Sequence, residues 1–506
     1  MFSSIRVKYS LILSSAKLVK RNYKGNHNAV ELTKDRYKIK RNNYSVINDK
    51  DISFFENQIG KSYVVTNSDD IEGNNIDFLR SCRGNSQLLL KPKNEIEISQ
   101  ILKYCYSRNL AVCPQGGNTG LVGGSVPVFD EIIISLQRLN EIYSVDEITG
   151  IITCGSGCIL ENLENEAKNH GLRFPLDLGA KSTCQIGGNA STNAGGLRVI
   201  RYGSLHGSIL GIETVLASGN ILDLMSNFKK DNTGYHLKHL FIGCEGTLGI
   251  ITKVAVLCPA ISSSINVAFI ALPSFEAVLK TFVKAKKYLG EILSACELID
   301  EISFKRSVET FNLNPPISGY PFYMLIETSG SNNKHDEEKF NIFLNNGMEN
   351  GEILDGTFTG EPGKISEIWK IRELVPVSLI EDGYCFKYDI SLPLRDFYKI
   401  VLVMRERMKN FDVDVCGYGH IGDSNLHLNV ACKGFSQDIY RKIEPFVFEY
   451  TSKLKGSVSA EHGIGFLKTK YLPFSKSDEA INLMRNIKTM LDPKNILNPY
   501  KVLPQE

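Results

Sequence analysis

Two short stretches near the C-terminus of this 506-residue chain hold the residue types best suited to chemistry. The first is Gly417-Tyr-Gly-His420-Ile-Gly-Asp-Ser-Asn425-Leu-His427-Leu-Asn429-Val430. From Asn425 the types alternate strictly. Asn425, His427 and Asn429 fall on one face and Leu426, Leu428 and Val430 on the other, which predicts a half-buried strand. Imidazole and amides are unusual on the wet face of such a strand, and His420 stands on a Gly-rich turn just before it. The second stretch, Ser459-Ala-Glu461-His462-Gly463-Ile-Gly465, sets a carboxylate and a third imidazole among small residues. His420, His427 and Glu461 supply two neutral nitrogens and an oxygen. That donor set suits Zn²⁺ or a similar divalent ion with one position left for substrate. Asp423 is either a fourth ligand or, among Gly and Ser, a turn residue. Each His taken alone also fits an ordinary surface or core role.

These residues need elements to carry them. The chain is too long for one ordinary domain, and two or three are expected. From residue 263, strand-like Val267–Leu272 and Tyr323–Thr328 alternate with helical Ser274–Lys287 and Lys334–Asn346, with Ser329–His335 as a polar loop. This order predicts an α+β unit. A helix over Lys364–Ile380 carries the only Trp, Trp369, together with Arg372, and Pro376 kinks or ends its regular bonding. Tyr384–Pro393 alternates as a strand, with Cys385, Lys387 and Asp389 on one face. Arg372 could pair with Glu367 or Glu373 on its own helix, and Lys387 with Asp389 on its own strand. An amphipathic helix over Gln437–Lys455 precedes the Glu461 loop, and Ser477–Met490 reads as a last helix.

The first half is organised around glycine. A helix from Asn94 to Cys105 and a short strand Leu110–Cys113 lead into Pro114-Gln-Gly116-Gly117-Asn118-Thr119-Gly120-Leu-Val-Gly123-Gly124-Ser125. Glycine allows close backbone approach, and N–H groups in such turns can hold phosphate oxygens. The spacing matches neither GxxxxGK[ST] nor GxGxxG. A second cluster runs from Pro175 through Gly187, Gly188, Ser191, Thr192, Gly195 and Gly196 to Gly203, and a third closes at Glu245-Gly246-Thr-Leu-Gly249-Ile250. Separate glycine-lined surfaces suit one long ligand such as a dinucleotide, or else tight turns in a compact α+β domain. Residues 31–60, charged and Asn-rich, read as a surface lead-in.

The composition is ordinary, 42% apolar and 23% charged. No run of 18 apolar residues occurs, so no membrane span is predicted. Residues 1–30 carry Arg6, Lys8, Lys17, Lys20, Arg21 and Lys24 with no acid before Glu31, the pattern of a mitochondrial targeting segment. Without those six cations the net charge falls from +2 to about −4, which argues against nucleic acid as a partner. Twelve dispersed Cys without a CxxC pair indicate reduced core thiols.

Four long motifs decide the family. They are PQGGNTGLVGGSVPVFDEII at 114–133, PLDLGAKSTCQIGGNASTNAGGLRVIRYGSLHG at 175–207, DNTGY followed by FIGCEGTLGIIT within 231–252, and GYGHIGDSNLHLNV with GSVSAEHGIG within 417–465. With them the chain, from about residue 45 to its end, resembles the flavin-dependent D-2-hydroxy-acid dehydrogenases of the vanillyl-alcohol-oxidase (PCMH-type) fold. That resemblance implies an α+β architecture. A PCMH-type FAD-binding domain with two α/β subdomains would span 45–262, an α+β cap with an antiparallel sheet 263–470, and a segment returning to the FAD domain 471–506. It implies FAD bound by Pro114, Gly116, Gly117, Asn118, Thr119, Gly120, Gly123, Gly124, Ser125, Pro175, Gly187, Gly188, Ser191, Thr192, Gly195, Gly196, Gly203, Ile250 and Asn498. Some relatives attach the flavin to a His in the first glycine loop; Gly116-Gly-Asn-Thr-Gly120 has none, so non-covalent FAD is expected.

The resemblance further implies a metal, Zn²⁺ or similar, on His420, His427 and Glu461. Substrate would contact His462 and Asn429, with Arg372 and Lys387 on its carboxylates. Close relatives carry a Thr one turn after the substrate Arg, where this chain has Pro376, so one hydroxyl contact is absent. The implied reaction is oxidation of D-2-hydroxyglutarate to 2-oxoglutarate, with His462 as general base, hydride to flavin N5, and an electron-transfer flavoprotein in the mitochondrial matrix as acceptor. Two cations beside a metal suit a 2-hydroxy dicarboxylate better than lactate. A homodimer is carried as the expected assembly, although no stretch sets it. The rival readings are a D-lactate dehydrogenase with the same machinery and a flavin-binding protein without catalysis. An NAD enzyme is disfavoured because the GxGxxG match at Gly417–Gly422 leads into a strand rather than a helix.

Overall fold

A computed structural model of the chain describes residues 30–381 and 383–505. The segment read as a targeting sequence lies, apart from Val30, outside the described residues. β-Branched and aromatic runs form three sheets. The first has the order β1-β2-β4-β3, from β1 (Val64–Val65), β2 (Leu89–Leu90), β3 (Val112–Gln115) and β4 (Ile132–Ser135), with β2, β4 and β3 parallel. The connection from β3 to β4 is the first glycine stretch. Beside this sheet the helix Glu95–Arg108, capped by the Asn94 side chain, buries Ile98, Ile101, Leu102 and Cys105. The second sheet is antiparallel, ordered β5-β6-β9-β7-β8, from β5 (Ile142–Asp146), β6 (Ile151–Gly155), β7 (Ile209–Val215), β8 (Ile221–Leu224) and β9 (Ile250–Leu257).

The third sheet is antiparallel and seven-stranded, ordered β13-β10-β12-β11-β15-β16-β14. Its strands are β10 (Ser264–Leu272), β11 (Leu293–Asp300), β12 (Phe322–Gly330), β13 (Asp355–Thr359), β14 (Tyr384–Ser391), β15 (Val413–His420) and β16 (Asn425–Cys432). Helices Phe275–Leu289 and Asn333–Glu349 pack Val278, Phe282, Phe340 and Phe343 into the core that holds Ile270, Met324, Leu426, Leu428 and Val430. Helices Glu301–Phe311 and Pro362–Glu373 cover the other face with Phe304, Ile368 and Ile371 against Phe269, Tyr323 and Tyr418. The chain end crosses back to the first sheet. Ile496, Leu497 and Tyr500 join its core, and Asn498 N–H donates to the Val112 carbonyl at 2.8 Å.

Several expectations need correction. Residues 31–60 lie largely on the surface, but helix Asp49–Ile59 turns one face inward, burying Asp51, Phe55 and Ile59, with a capping box at Asn48 and an ion pair from buried Asp51 to the partly exposed Arg108. The helix expected over Gln437–Lys455 is two, Gln437–Ile443 and Phe446–Lys453, because Pro445 forces Glu444 into an extended conformation. The polar loop at 329–335 shrinks to Ser331–Asn332. His420 ends β15 rather than sitting on the turn. The strand Asn425–Cys432 is covered on both faces, not half-buried.

Candidate active site

The antiparallel register gathers the polar residues into rows, since residues directly opposite across a ladder point to the same side. Glu297 on β11 lies opposite His420 on β15, and His420 opposite Asn425 on β16. Two residues along, Tyr418 faces His427, which faces Asp389 on β14. Two further, Cys416 faces Asn429, which faces Lys387. Helix Pro362–Glu373, with proline at its start, brings Arg372 over this surface, its guanidinium 4.8 Å from the Tyr418 ring centre. The loop after Ser459 brings Glu461 and His462.

His420 Nε2 and His427 Nε2 lie 3.2 Å apart, and Glu461 Oε1 is 4.0 and 3.7 Å from them. A tetrahedral ion with bonds of about 2.0–2.1 Å needs donors roughly 3.3 Å apart, so the trio fits one ion with small adjustment of Glu461. His420 Nδ1 is 2.7 Å from Glu297 Oε1. The carboxylate only accepts, so Nδ1 carries a proton and Nε2 is the nitrogen aimed at the trio. Burial opposes a charge on His420, but Glu297 outweighs it and pushes the imidazole up to about 9, so an ion bound at Nε2 would displace the proton held there near neutral pH. Burial, and then His420, hold His427 well below its usual range, which leaves it a neutral ligand. Asp389, Glu461 and His462 form a second acid–imidazole group with mutually close atoms. There, however, Asp389 Oδ2 already accepts the N–H groups of Glu461 and His462, both at 3.0 Å, so its task is to hold the loop. Burial would raise Asp389, but His462, Lys468 and those amides bring it below the usual carboxylate range.

His462 stands between acids, with Nδ1 3.6 Å from Asp389 Oδ2 and Nε2 3.6 Å from Glu461 Oε1. Asn429 donates to the Tyr418 hydroxyl at 2.7 Å. Neither cation takes the local partner considered for it. Arg372 passes over Glu367 and Glu373, and its Nε donates to Glu297 Oε2 at 2.8 Å. Lys387 does not pair with Asp389: its Nζ donates to the Pro376 carbonyl at 3.2 Å, and burial pushes it below the usual lysine range. Pro376 therefore contributes a backbone acceptor. Asp423 lies in the hairpin turn, accepting from Asn425 N–H at 3.2 Å, and burial raises it to about 6. Glu297 and Asp389, which hold His420, Arg372 and the Glu461–His462 loop, were not singled out by the sequence. The strand alternation that places Asp389 beside Lys387 was the only signal for either.

The two main glycine clusters face each other. A Cβ on Gly116 would lie 3.8 Å from Gly188 Cα, whereas one on Gly117 would collide with the Thr183 carbonyl. Beside Gly120 and Gly188 the space is open, and Gln185 Oε1, Asn189 Oδ1 and Ser156 Oγ around the second cluster are buried without partners. Open backbone beside orphaned polar atoms fits a dinucleotide. Gly187, Gly188, Ser191 and Thr192 share the helix Ile186–Thr192, where the Thr192 hydroxyl donates to the Gly188 carbonyl at 3.1 Å. Asn118 accepts from the Ser125 hydroxyl at 2.8 Å, and Asn498 Nδ2 clamps the Gly124 and Glu245 carbonyls at 2.9 and 2.8 Å. Pro114 lies within β3 beside Gly246, Gly123 abuts Cys82, Gly196 abuts Asp177, and Ile250 opens β9. Pro175 is buried in the loop ahead of that helix. Gly203 ends the short helix Val199–Tyr202, and a Cβ there, as at Gly120 and Gly188, would meet open space. The cradle and the acid–imidazole cluster meet at Gly195, where a Cβ would come within 3.0 Å of Glu461 Oε2.

Residues 86–225 match the family model "FAD binding domain", and residues 261–502 match "FAD linked oxidases, C-terminal domain". The mitochondrial D-2-hydroxyglutarate dehydrogenase of Danio rerio is 50% identical over 91% of this chain and 86% of its own length; the Bos taurus protein of that name is 49% identical over 94% and 87%. A Saccharomyces cerevisiae protein named D-2-hydroxyglutarate–pyruvate transhydrogenase is 42% identical over 94% of this chain and 99% of its own. Among solved structures, p-cresol methylhydroxylase superposes with TM-score 0.73 at 13% identity over 90% of this chain and 96% of that one. Alkyldihydroxyacetonephosphate synthase gives 0.70 at 16% over 91% and 86%. These two structures establish the fold, α+β of the PCMH type. With relatives about 50% identical along nine-tenths of its length and models matched in both halves, the chain belongs to the family of FAD-linked oxidases that includes the D-2-hydroxyglutarate dehydrogenases.

Proposed function

We propose that the chain is an FAD- and metal-dependent dehydrogenase that oxidises D-2-hydroxyglutarate to 2-oxoglutarate. One observation carries this reading: two cations, the buried Arg372 and the half-buried Lys387, stand on the same sheet surface as the His420–His427–Glu461 trio, which itself abuts the glycine cradle at Gly195. FAD lies without a covalent link in the cradle of Pro114–Ser125, Pro175–Gly203, Ile250 and Asn498, and Zn²⁺ or a similar ion on His420, His427 and Glu461. When bound, the flavin supplies a two-electron acceptor and the ion a Lewis acid for the 2-hydroxyl.

The chain's own residues do the rest. Arg372 offers a planar fork to one carboxylate; Lys387 offers a point charge to the other, gaining a counter-charge it lacks. Asn429, held by Tyr418, lines the same row as Lys387. His462 takes the hydroxyl proton at Nε2, while its Nδ1 lies 3.6 Å from Asp389 Oδ2. A cofactor unit spans 45–262, a substrate unit 263–470, and residues 471–506 return to the first. The protein works in the mitochondrial matrix and passes electrons to an electron-transfer flavoprotein; its relatives' mitochondrial names and the basic N-terminus support the location. Among the described residues no helix is long and apolar enough to cross a membrane. The test is turnover of purified holoenzyme on D-2-hydroxyglutarate, D-malate and D-lactate with a dye acceptor. Preference for the dicarboxylates is expected, and turnover confined to D-lactate would overturn the substrate.

A further inference from the structure

Glu245 belongs to the glycine-rich half, in Phe241-Ile-Gly-Cys-Glu245-Gly246, yet its side chain serves the loop that carries Glu461 and His462. The residue is buried, and its two oxygens accept the N–H groups of Ile464 and Gly465, each at 2.7 Å. Its backbone is tied to the cradle: its N–H donates to the Ser191 carbonyl at 2.7 Å and its carbonyl accepts from Asn498 Nδ2 at 2.8 Å. The fit leaves no room, because a Cβ at Gly463 would lie 2.8 Å from Oε1. Glu245 also holds φ +52°, a left-handed conformation in which glycine is free and a side chain is strained. Strain retained at a cofactor cradle points to a need for the side chain.

We propose that Glu245 is a positioning residue whose carboxylate fixes the loop Glu461–Gly465 against the flavin cradle and so sets where Glu461 and His462 stand relative to the cofactor. The inference rests on the function proposed above. Two variants separate its parts. Glu245→Gly removes the carboxylate and relieves the backbone, so the fold has reason to survive. Glu245→Gln keeps the shape but turns an NH₂ group toward one of two N–H donors. Both are expected to retain FAD and a thermal midpoint near that of the parent. In both, amides in the peptide 459–468 should exchange about tenfold faster or more, and Zn²⁺ should bind about tenfold more weakly or worse in equilibrium dialysis. At saturating Zn²⁺, flavin reduction should slow about tenfold with little change in KM. In a His462→Ala background the added Glu245→Gln should then cost less than about twofold, because its effect runs through that loop. Unchanged exchange and Zn²⁺ affinity would overturn the proposal, and so would loss of FAD or of the fold, which would make Glu245 a cradle residue. A parent protein inert on every 2-hydroxy acid would overturn the function instead, with exchange and Zn²⁺ binding still deciding Glu245.

Discussion

Glu297 joins His420 to Arg372: one carboxylate oxygen lies 2.7 Å from His420 Nδ1, the other 2.8 Å from Arg372 Nε. The carboxylate is 1% exposed, so a single buried charge orients both the proposed ion ligand His420 and the proposed substrate cation Arg372. Burial would raise it, but His420 and Arg372 lower it instead. In Glu297→Gln an amide N–H meets His420 Nδ1. The imidazole must then accept there, which moves its proton to Nε2, where the lone pair is needed. Zn²⁺ affinity is expected to fall by about 10–100-fold with FAD retained; an unchanged dissociation constant in equilibrium dialysis would show that the contact does not set the tautomer.

Lys387 has no carboxylate partner in the row it occupies, only the Pro376 carbonyl. Lys387→Met removes a half-buried cation without a counter-charge, so the empty protein should keep or slightly gain stability while KM for dicarboxylates rises at least about tenfold, roughly 1.4 kcal/mol. KM for D-lactate should move far less. An equal rise for both acids would assign Lys387 to the shared carboxylate or to the fold.

His462 is the assigned base, and Asp389 holds its backbone N–H at 3.0 Å. His462→Asn should slow flavin reduction by about 10²–10⁴-fold, the usual reach of general-base catalysis, while Zn²⁺ content stays near one per chain. Stopped-flow reduction at the parent rate would remove His462 from that role.

The two halves are joined by Arg198, whose Nε and Nη2 reach Glu327 at 2.8 Å each, while Trp369 Nε1 donates to the same carboxylate at 2.9 Å. Burial would raise Glu327, yet Arg198 brings it below its usual value. A depressed carboxyl stabilises the fold above its unfolded pKa, roughly 4.3, and that contribution is lost as pH falls through the folded value. The only Trp of the chain therefore reports the junction. Its emission should shift to the red in acid, below about pH 4. Arg198→Met should cost about 3–5 kcal/mol in urea unfolding at neutral pH by stranding a buried charge. An unchanged midpoint would mean that the junction relaxes around Glu327.

Much of this site was legible because its residues lie close in sequence and repeat with a strand's period. Asn425, His427 and Asn429 declare one face, and the glycine clusters declare backbone approach. Glu297 was not legible. In Leu293-Ser-Ala-Cys-Glu-Leu-Ile-Asp it is one polar residue in an apolar run, with partners 75 and 123 residues away, so only the packed sheet reveals its task. Within residues 31–60 the buried face of helix Asp49–Ile59 was hidden for the opposite reason. Most charges of the segment stay at the surface, and Asp51 alone turns inward, to its capping box and to Arg108. The break at Pro445 followed from known proline stereochemistry but was overridden by the amphipathic pattern on either side of it.

The central claim is that His420, His427 and Glu461 hold an ion needed to oxidise a dicarboxylate beside the flavin. Its most direct test is anaerobic mixing of holoenzyme with D-2-hydroxyglutarate while flavin absorbance near 450 nm is followed. Chelator-treated protein, and the same protein given back Zn²⁺, serve as the comparison. The account predicts rapid bleaching of the holoenzyme, bleaching slowed at least about 10²-fold after metal removal with FAD still bound, and recovery on adding Zn²⁺. Bleaching at the full rate in metal-free protein would contradict it.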